Sequence, residues 1–210
     1  MVKAAAGAGC PGTSWPGESL TLRRCRHDRN WNQSTRCTSA AMERMIVLFD
    51  EIEDRLDDEA QRKVAAFIAD HADDIFKFTC ELIRTPSVNP PGDEVAVSKV
   101  VMDRLAQLGI EDCSIAACLP ERPNVMAHVA GTSPGPTLML SGHIDTKPAG
   151  NIDQWETDPW VPVVVGDQLI GLGSGDMKAS IAAMVYAAAA LRHLGEFPGK
   201  LSLALTADEE

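Results

Sequence analysis

No stretch of this 210-residue sequence stays apolar for long enough to span a bilayer. The most apolar helix-like run, Ala179–Leu194, is interrupted by Ser180, Tyr186 and Arg192 and reads as a buried core helix. The opening residues, MVKAAAGAGCPGTSWPGES, lack the continuous apolar segment of a secretory signal. A cytoplasmic protein without membrane contact is expected. Positive charge is also scarce: 19 Lys and Arg face 30 Asp and Glu, a net charge of −11. That balance argues against a nucleic-acid-binding surface. The six cysteines (Cys10, Cys25, Cys37, Cys80, Cys113 and Cys118) form no CxxC pair. A disulfide framework is not expected at this length and in this compartment. Cys80, Cys113 and Cys118 stand in apolar patterns and are expected as reduced core residues. No internal repeat is visible.

What is present divides unevenly. Residues 1–41 carry six basic and two acidic residues, a net of +4, while the remainder holds 13 basic and 28 acidic, a net of −15. The first segment is rich in Gly, Pro, Ser, Arg and Cys and has no sustained period. It is expected to be a disordered basic tail, with residues 42–210 as the folded part. A length of 210 residues is enough for one substantial core.

From Asp57 the pattern turns helical. Asp57 or Asp58 can cap, and Val64, Phe67, Ile68, Ile75, Phe76, Leu82 and Ile83 recur at three- and four-residue steps. The run ends before the loop TPSVNPPG. A second helix is expected over 93–108, with Gly109 closing it. Strands are expected at 111–117, 124–130 and 137–142, with a turn at 131–136, and short strands at 161–165 and 168–172. A helix from about Met177 to Leu194, closed by Gly195, precedes a last strand at 200–206. This order predicts an α/β domain with a mixed sheet flanked by helices.

Two apolar strands end abruptly in polar groups. LMLSGHIDT delivers His143 and Asp145, and LALTADEE delivers Asp208, Glu209 and Glu210. A third segment, the glycine-rich link GLGSGDMK, places Asp176 at a helix start. In α/β sheets functional groups gather beyond the carboxyl ends of strands. Carboxylates brought together without a cation repel one another. A divalent metal removes that cost, and one imidazole with several carboxylates suits Zn²⁺, or Co²⁺ or Mn²⁺. Taken singly, each residue has a plainer reading: a hydrogen-bonded structural His, a solvated acidic end, a helix N-cap. GLGSGD is no dinucleotide fingerprint. Asp176 occupies the place of the third Gly of G-x-G-x-x-G, where its carboxylate would repel a pyrophosphate.

With these motifs in their order and spacing, roughly residues 57–210 resemble the N-terminal half of the catalytic domain of the M20 metallopeptidases. This is the group containing acetylornithine deacetylase, succinyl-diaminopimelate desuccinylase, aminoacylase and carboxypeptidase G. LSGHIDTKPAG is similar to its His-x-Asp motif. WETDPWVPVVVGDQLIGLGSGDMKASIAAM is similar to the next block of that family, Trp…Asp-Pro…Gly-x-Gly…Asp-Met-Lys, and TADEE to the acidic motif after it. The looser ELIRTPSVNPPGDE fits the opening helix and loop.

The resemblance implies a zinc-peptidase-like catalytic domain, here truncated at its C-terminal side. It also implies a two-zinc amidohydrolase acting on N-acyl amino acids or small peptides, with homodimers possible in the parent enzyme. By that resemblance His143 binds one metal, Asp176 bridges two and Glu210 binds the other. Asp145 accepts a hydrogen bond from the second nitrogen of His143 and fixes its orientation. Glu209 is the general base. Leu172 departs from the pattern, since many relatives carry Arg between the glycines. The resemblance also implies an additional acidic ligand, a C-terminal His ligand and a lid or dimerisation domain beyond residue 210. Each metal would keep only Asp176 and one other ligand here, so weak binding and poor turnover are expected of this chain alone. The competing expectation is a non-catalytic chain or interaction module with an incomplete metal site. Finally, the 137–142 strand is expected to be apolar because it is buried in the sheet.

Overall fold

The structure, a computed structural model, describes residues 58–210; the tail expected at 1–41, residues 42–56 and the cap at Asp57 lie outside the described residues. The first helical run is two helices, not one. α1 (Glu59–Asp70) begins where the Asp58 carboxylate accepts the Ala60 N–H at 2.7 Å. It stops at His71, whose backbone leaves the helical region (φ −105°, ψ 12°) and whose ring Nδ1 lies 2.8 Å from the Phe67 carbonyl. α2 (Ala72–Arg84) starts again at once, with Asp73 and Asp74 facing the positive end of its dipole. It ends at Thr85, extended ahead of Pro86. The three- and four-residue period survives this break, so periodicity alone did not reveal it.

α3 (Val95–Gln107) closes through Gly109 in the left-handed region (φ +72°), with Ile110 N–H reaching back to the Leu105 carbonyl at 2.9 Å. Four strands form the main sheet: β1 (Cys113–Ala116), β2 (Asn124–Ala130), β3 (Ser133–His143) and β6 (Pro198–Thr206), in the order β1-β2-β6-β3. β2 pairs antiparallel with β1 and β6, while β3 runs parallel to β6. The hairpin β4 (Val163–Val165) and β5 (Gln168–Ile170) forms a second sheet of two strands. α4 (Ala179–Leu194) carries the chain from this hairpin to β6.

Val125, Ala127 and Val129 of β2 point inward at alternate positions. Leu201 to Leu205 of β6 are buried throughout, as in a strand covered on both faces. Phe78 and Leu82 of α2, Val97 and Val101 of α3, and Ile181 and Val185 of α4 complete one core with these strands. The mixed sheet flanked by helices is the architecture the element order predicts.

Three local expectations are corrected. β3 starts at Ser133, within the segment read as a turn, because its early residues still align with β6 across a register shift between Ser133 and Thr137. β3 is not buried along its length: it lies at the edge of the order, and Leu138 and Met139 are 60% and 55% exposed. Only Gly142 and His143 at its end are buried. Cys118 is exposed beyond the end of β1, whereas Cys80 is buried as expected.

Candidate metal centre

The parallel register sets His143 opposite Thr206, so β3 and β6 release their chains at the same edge. Ile144 N–H still bonds the Thr206 carbonyl at 2.8 Å. Beyond this point β3 is tied to the loop after α2. Ser87 Oγ donates to the Ile144 carbonyl at 2.7 Å, Thr146 N–H to Ser87 O at 2.9 Å, and Asn89 N–H to Thr146 O at 2.8 Å. The His143-x-Asp145 step is therefore held on both sides before any ligand is considered.

Asp176 arrives from the third segment. It lies in an irregular turn, Ser174–Lys178, with non-helical backbone (φ −135°, ψ 91°), and the peptide after it is cis. Gly173 opens that turn with φ +73°, and a Cβ there would stand 2.5 Å from Thr146 Cγ2. Only glycine lets the link approach the His143 strand so closely.

These elements bring three ligand groups together. One donor atom each from His143, Asp176 and Glu210 lie within 4.8 Å of one another. His143 Nε2 is 3.1 Å from Asp176 Oδ1 and 3.9 Å from Glu209 Oε2. An imidazole nitrogen with two carboxylate oxygens is a donor set that suits a divalent cation, so the residues fit the metal their types imply. Burial works against an imidazolium at His143. The hydrogen bonds to Asp176 and the Asp145 carbonyl, with the charges of Asp145 and Glu209, outweigh it and raise its pKa above the ordinary value.

The hydrogen bond expected from His143 Nδ1 to the Asp145 carboxylate goes to the Asp145 main-chain oxygen, at 3.0 Å; the carboxylate Oδ1, at 3.4 Å, makes none. The other carboxylate oxygen, Oδ2, accepts from Asn89 Nδ2, Glu209 N–H and Glu210 N–H, each at 3.0 Å. Burial alone would raise the pKa of this fully buried carboxyl. The N–H groups of Glu210, Asn89 and Glu209 reverse that and hold it below the ordinary value.

Sequence reasoning passed over Lys147, Asn89 and Arg122. Lys147 Nζ sits 2.7 Å from Glu210 Oε2. Its place one residue past the GHIDT segment was the available signal. Asn89 lies in the quoted NPPG loop, but its type alone gave no role. Arg122 lies between β1 and β2 with no pattern around it. Beside the cluster a cleft of about 200 Å³ is lined by Lys147, Trp155, Leu172, Gly173, Asp176 and Glu210.

Residues 139–210, which hold all five residues given roles by the resemblance, match the model of peptidase family M20/M25/M40. Over those residues the chain carries that family's pattern. The chain is 40% identical over 142 residues to a succinyl-diaminopimelate desuccinylase of Aromatoleum aromaticum, covering 64% of this chain and 34% of the relative. It is 37% identical over 131 residues to the protein of that name from Thioalkalivibrio sulfidiphilus, covering 62% and 33%. The chain thus spans about a third of the length of these relatives. Among solved structures it resembles the di-peptidase Dug1p from Saccharomyces cerevisiae with a TM-score of 0.56 and 22% identity, over 69% of this chain and 34% of that one. At that identity the likeness speaks for the fold. Among the described residues no helix is long and apolar enough to cross a membrane.

Proposed function

We propose that this chain carries the opening part of a metal-dependent amidohydrolase, with zinc as the metal, two ions per complete site, and N-acyl amino acids or small peptides as substrates. The observation that carries this reading is the convergence of His143, Asp176 and Glu210 within 4.8 Å, with the Glu209 carboxylate beside them. His143, Asp176 and Glu210 are the residues that would hold the ions, with Asp176 as the shared ligand. Bound cations supply Lewis acidity, polarising the amide carbonyl and acidifying water.

Glu209 Oε2 then accepts a proton as the water oxygen bonds the carbonyl carbon. It passes that proton to the amide nitrogen as the carbon–nitrogen bond breaks. The Asp145 main chain keeps the His143 ring in place through Nδ1 and leaves Nε2 facing the site. The hydrolase names of the relatives support an amide substrate. Their acyl groups become part of the proposal only through this site.

Elemental analysis tests the reading directly. The unmodified chain is expected to take up zinc and His143→Ala to retain far less; equal zinc in both would remove His143 from the ligand set. An unmodified chain that takes up no metal would favour a non-catalytic interaction module instead.

Lys147 gives a second expectation. In the metal-free chain its ammonium already neutralises Glu210, and a cation must displace it. Lys147→Met is therefore expected to tighten Co²⁺ or Zn²⁺ binding roughly two- to fivefold in a chelator competition, the scale of an exposed ion pair. Unchanged or weaker binding would show that the pair does not compete with metal.

A further inference from the structure

Glu209 and Glu210 come after a strand that has already ended. β6 stops at Thr206, Asp208 turns in the left-handed region (φ 63°), and no strand among the described residues pairs with Glu209 or Glu210. A base and a metal ligand separated from the sheet in this way need another anchor, since catalytic groups must stay within a fraction of an ångström of working geometry.

The anchor lies on two loops distant in sequence. Asn89, buried in the loop after α2, directs Nδ2 at three acceptors: Asp145 Oδ2 at 3.0 Å, Glu210 main-chain O at 2.9 Å and Asp208 Oδ1 at 3.2 Å. Arg122, from the loop between β1 and β2, donates Nη2 to Asn89 Oδ1 at 3.2 Å and to Pro91 O at 2.8 Å. Its Nη1 binds Asp208 Oδ1. The backbone around Pro91 closes tightly on the guanidinium: a Cβ at Gly92, which has φ +79°, would fall 2.1 Å from Arg122 Cζ.

The chemistry of an amide makes this arrangement directional. A guanidinium has only donors, so the atom of Asn89 that faces it must be the oxygen. The nitrogen is then committed to the Asp145 and Asp208 carboxylates and the Glu210 main-chain oxygen on the other side. The acceptors Asp145 Oδ2, Asp208 Oδ1 and Glu210 main-chain O select the nitrogen on their side, and Arg122 holds the oxygen on the other, so the amide is gripped from both ends. Without Arg122 the Asn89 oxygen, in a buried side chain, loses its donor and the amide its brace.

We propose that Arg122 and Asn89 are positioning residues, Arg122 bracing the Asn89 amide and Asp208, and the amide fixing the Glu209–Glu210 turn against Asp145. The relevance of that turn to catalysis rests on the proposed metal centre; its attachment does not.

The test compares the full chain with Asn89→Ala and Arg122→Met, first without metal. Amide exchange by NMR is read at Glu209 and Glu210, whose N–H groups bond Asp145 Oδ2, and at Leu203 and Leu205 in β6. Both variants are expected to lose protection about tenfold or more at Glu209 and Glu210 while β6 is unchanged. Co²⁺ is then added. Affinity is expected to fall about tenfold in each variant, with an altered visible spectrum reporting changed ligand geometry. Protection at Glu209 and Glu210 equal to that of the unmodified chain overturns the proposal, and so does a loss spread evenly through β6. If the unmodified chain binds no Co²⁺, the metal-centre reading fails while the exchange comparison still decides the anchor. Should Asn89→Ala fail to fold, Arg122→Met decides alone.

Discussion

Glu209→Ala is expected to leave the zinc content intact and to lower amide hydrolysis by about two to four orders of magnitude in the active form of the protein. The separation of these effects comes from how Glu209 is held. Its main-chain N–H bonds Asp145 Oδ2 at 3.0 Å, a contact that any residue type except proline preserves. Its side chain is 60% exposed at the site, and Oε2 lies 3.9 Å from His143 Nε2, outside hydrogen-bond range. The carboxylate is therefore free to reach a water, and the alanine variant loses basicity without disturbing the turn. Glu209→Gln should fall by a similar factor, because it keeps the shape and still lacks a base. Near-normal turnover in either variant, measured with an N-acyl amino acid at saturating zinc, would remove Glu209 from the proton path.

Lys178 governs the second large effect, on stability and not on turnover. Its side chain is buried, and Nζ donates to the carbonyls of Leu82 and Thr85, each at 2.7 Å, at the C-terminal end of α2. The Leu82 carbonyl also accepts the Thr85 N–H at 3.2 Å, and the ammonium adds a second donor there while opposing the negative pole of the helix. The same burial disfavours the charge and pulls the pKa down from 10.5 to about 8. A folded pKa below the unfolded value means that the unfolded chain binds the proton more tightly. The resulting stability is fully present above pH 10.5 and is lost as pH falls through about 8. A shift of that size corresponds to about 3 kcal/mol. The unmodified chain is therefore expected to gain stability between those limits relative to Lys178→Met, in urea titrations at matched ionic strength. Parallel pH profiles for the two proteins would show that Lys178 does not titrate in the fold.

The sheet and its helices were legible because their signals are local. β2 alternates cleanly, α3 and α4 close on glycines, and β6 is a short apolar run. The break at His71 left no such mark, since neither Gly nor Pro stands there and the apolar period continues across it. The edge position of β3 was hidden for another reason. An apolar run such as Thr137 to Leu140 looks the same whether a sheet continues beyond it or ends there, and strand order depends on pairings distant in sequence. The residues that gather at the candidate centre were legible by type and place: a His and acids at strand and loop ends. Their second roles were not. Asp145 was expected to serve His143, yet one of its oxygens gathers the Glu209 and Glu210 amides. That duty depends on β3 and β6 being neighbours, which neither segment states alone.

That neighbourhood also orders events in time. Thr206 and Gly142, which meet at the site, are 64 positions apart along the chain. Their parallel pairing requires closing a long loop through the β4–β5 hairpin and α4, and such non-local contacts form slowly compared with helices and hairpins. Asp145 has no Glu209 or Glu210 amide to bind until β6 has docked, and those two acids have no fixed place before it. The candidate metal ligands therefore converge only once β6 has docked, after the helices and the β1–β2 and β4–β5 pairs can already be in place.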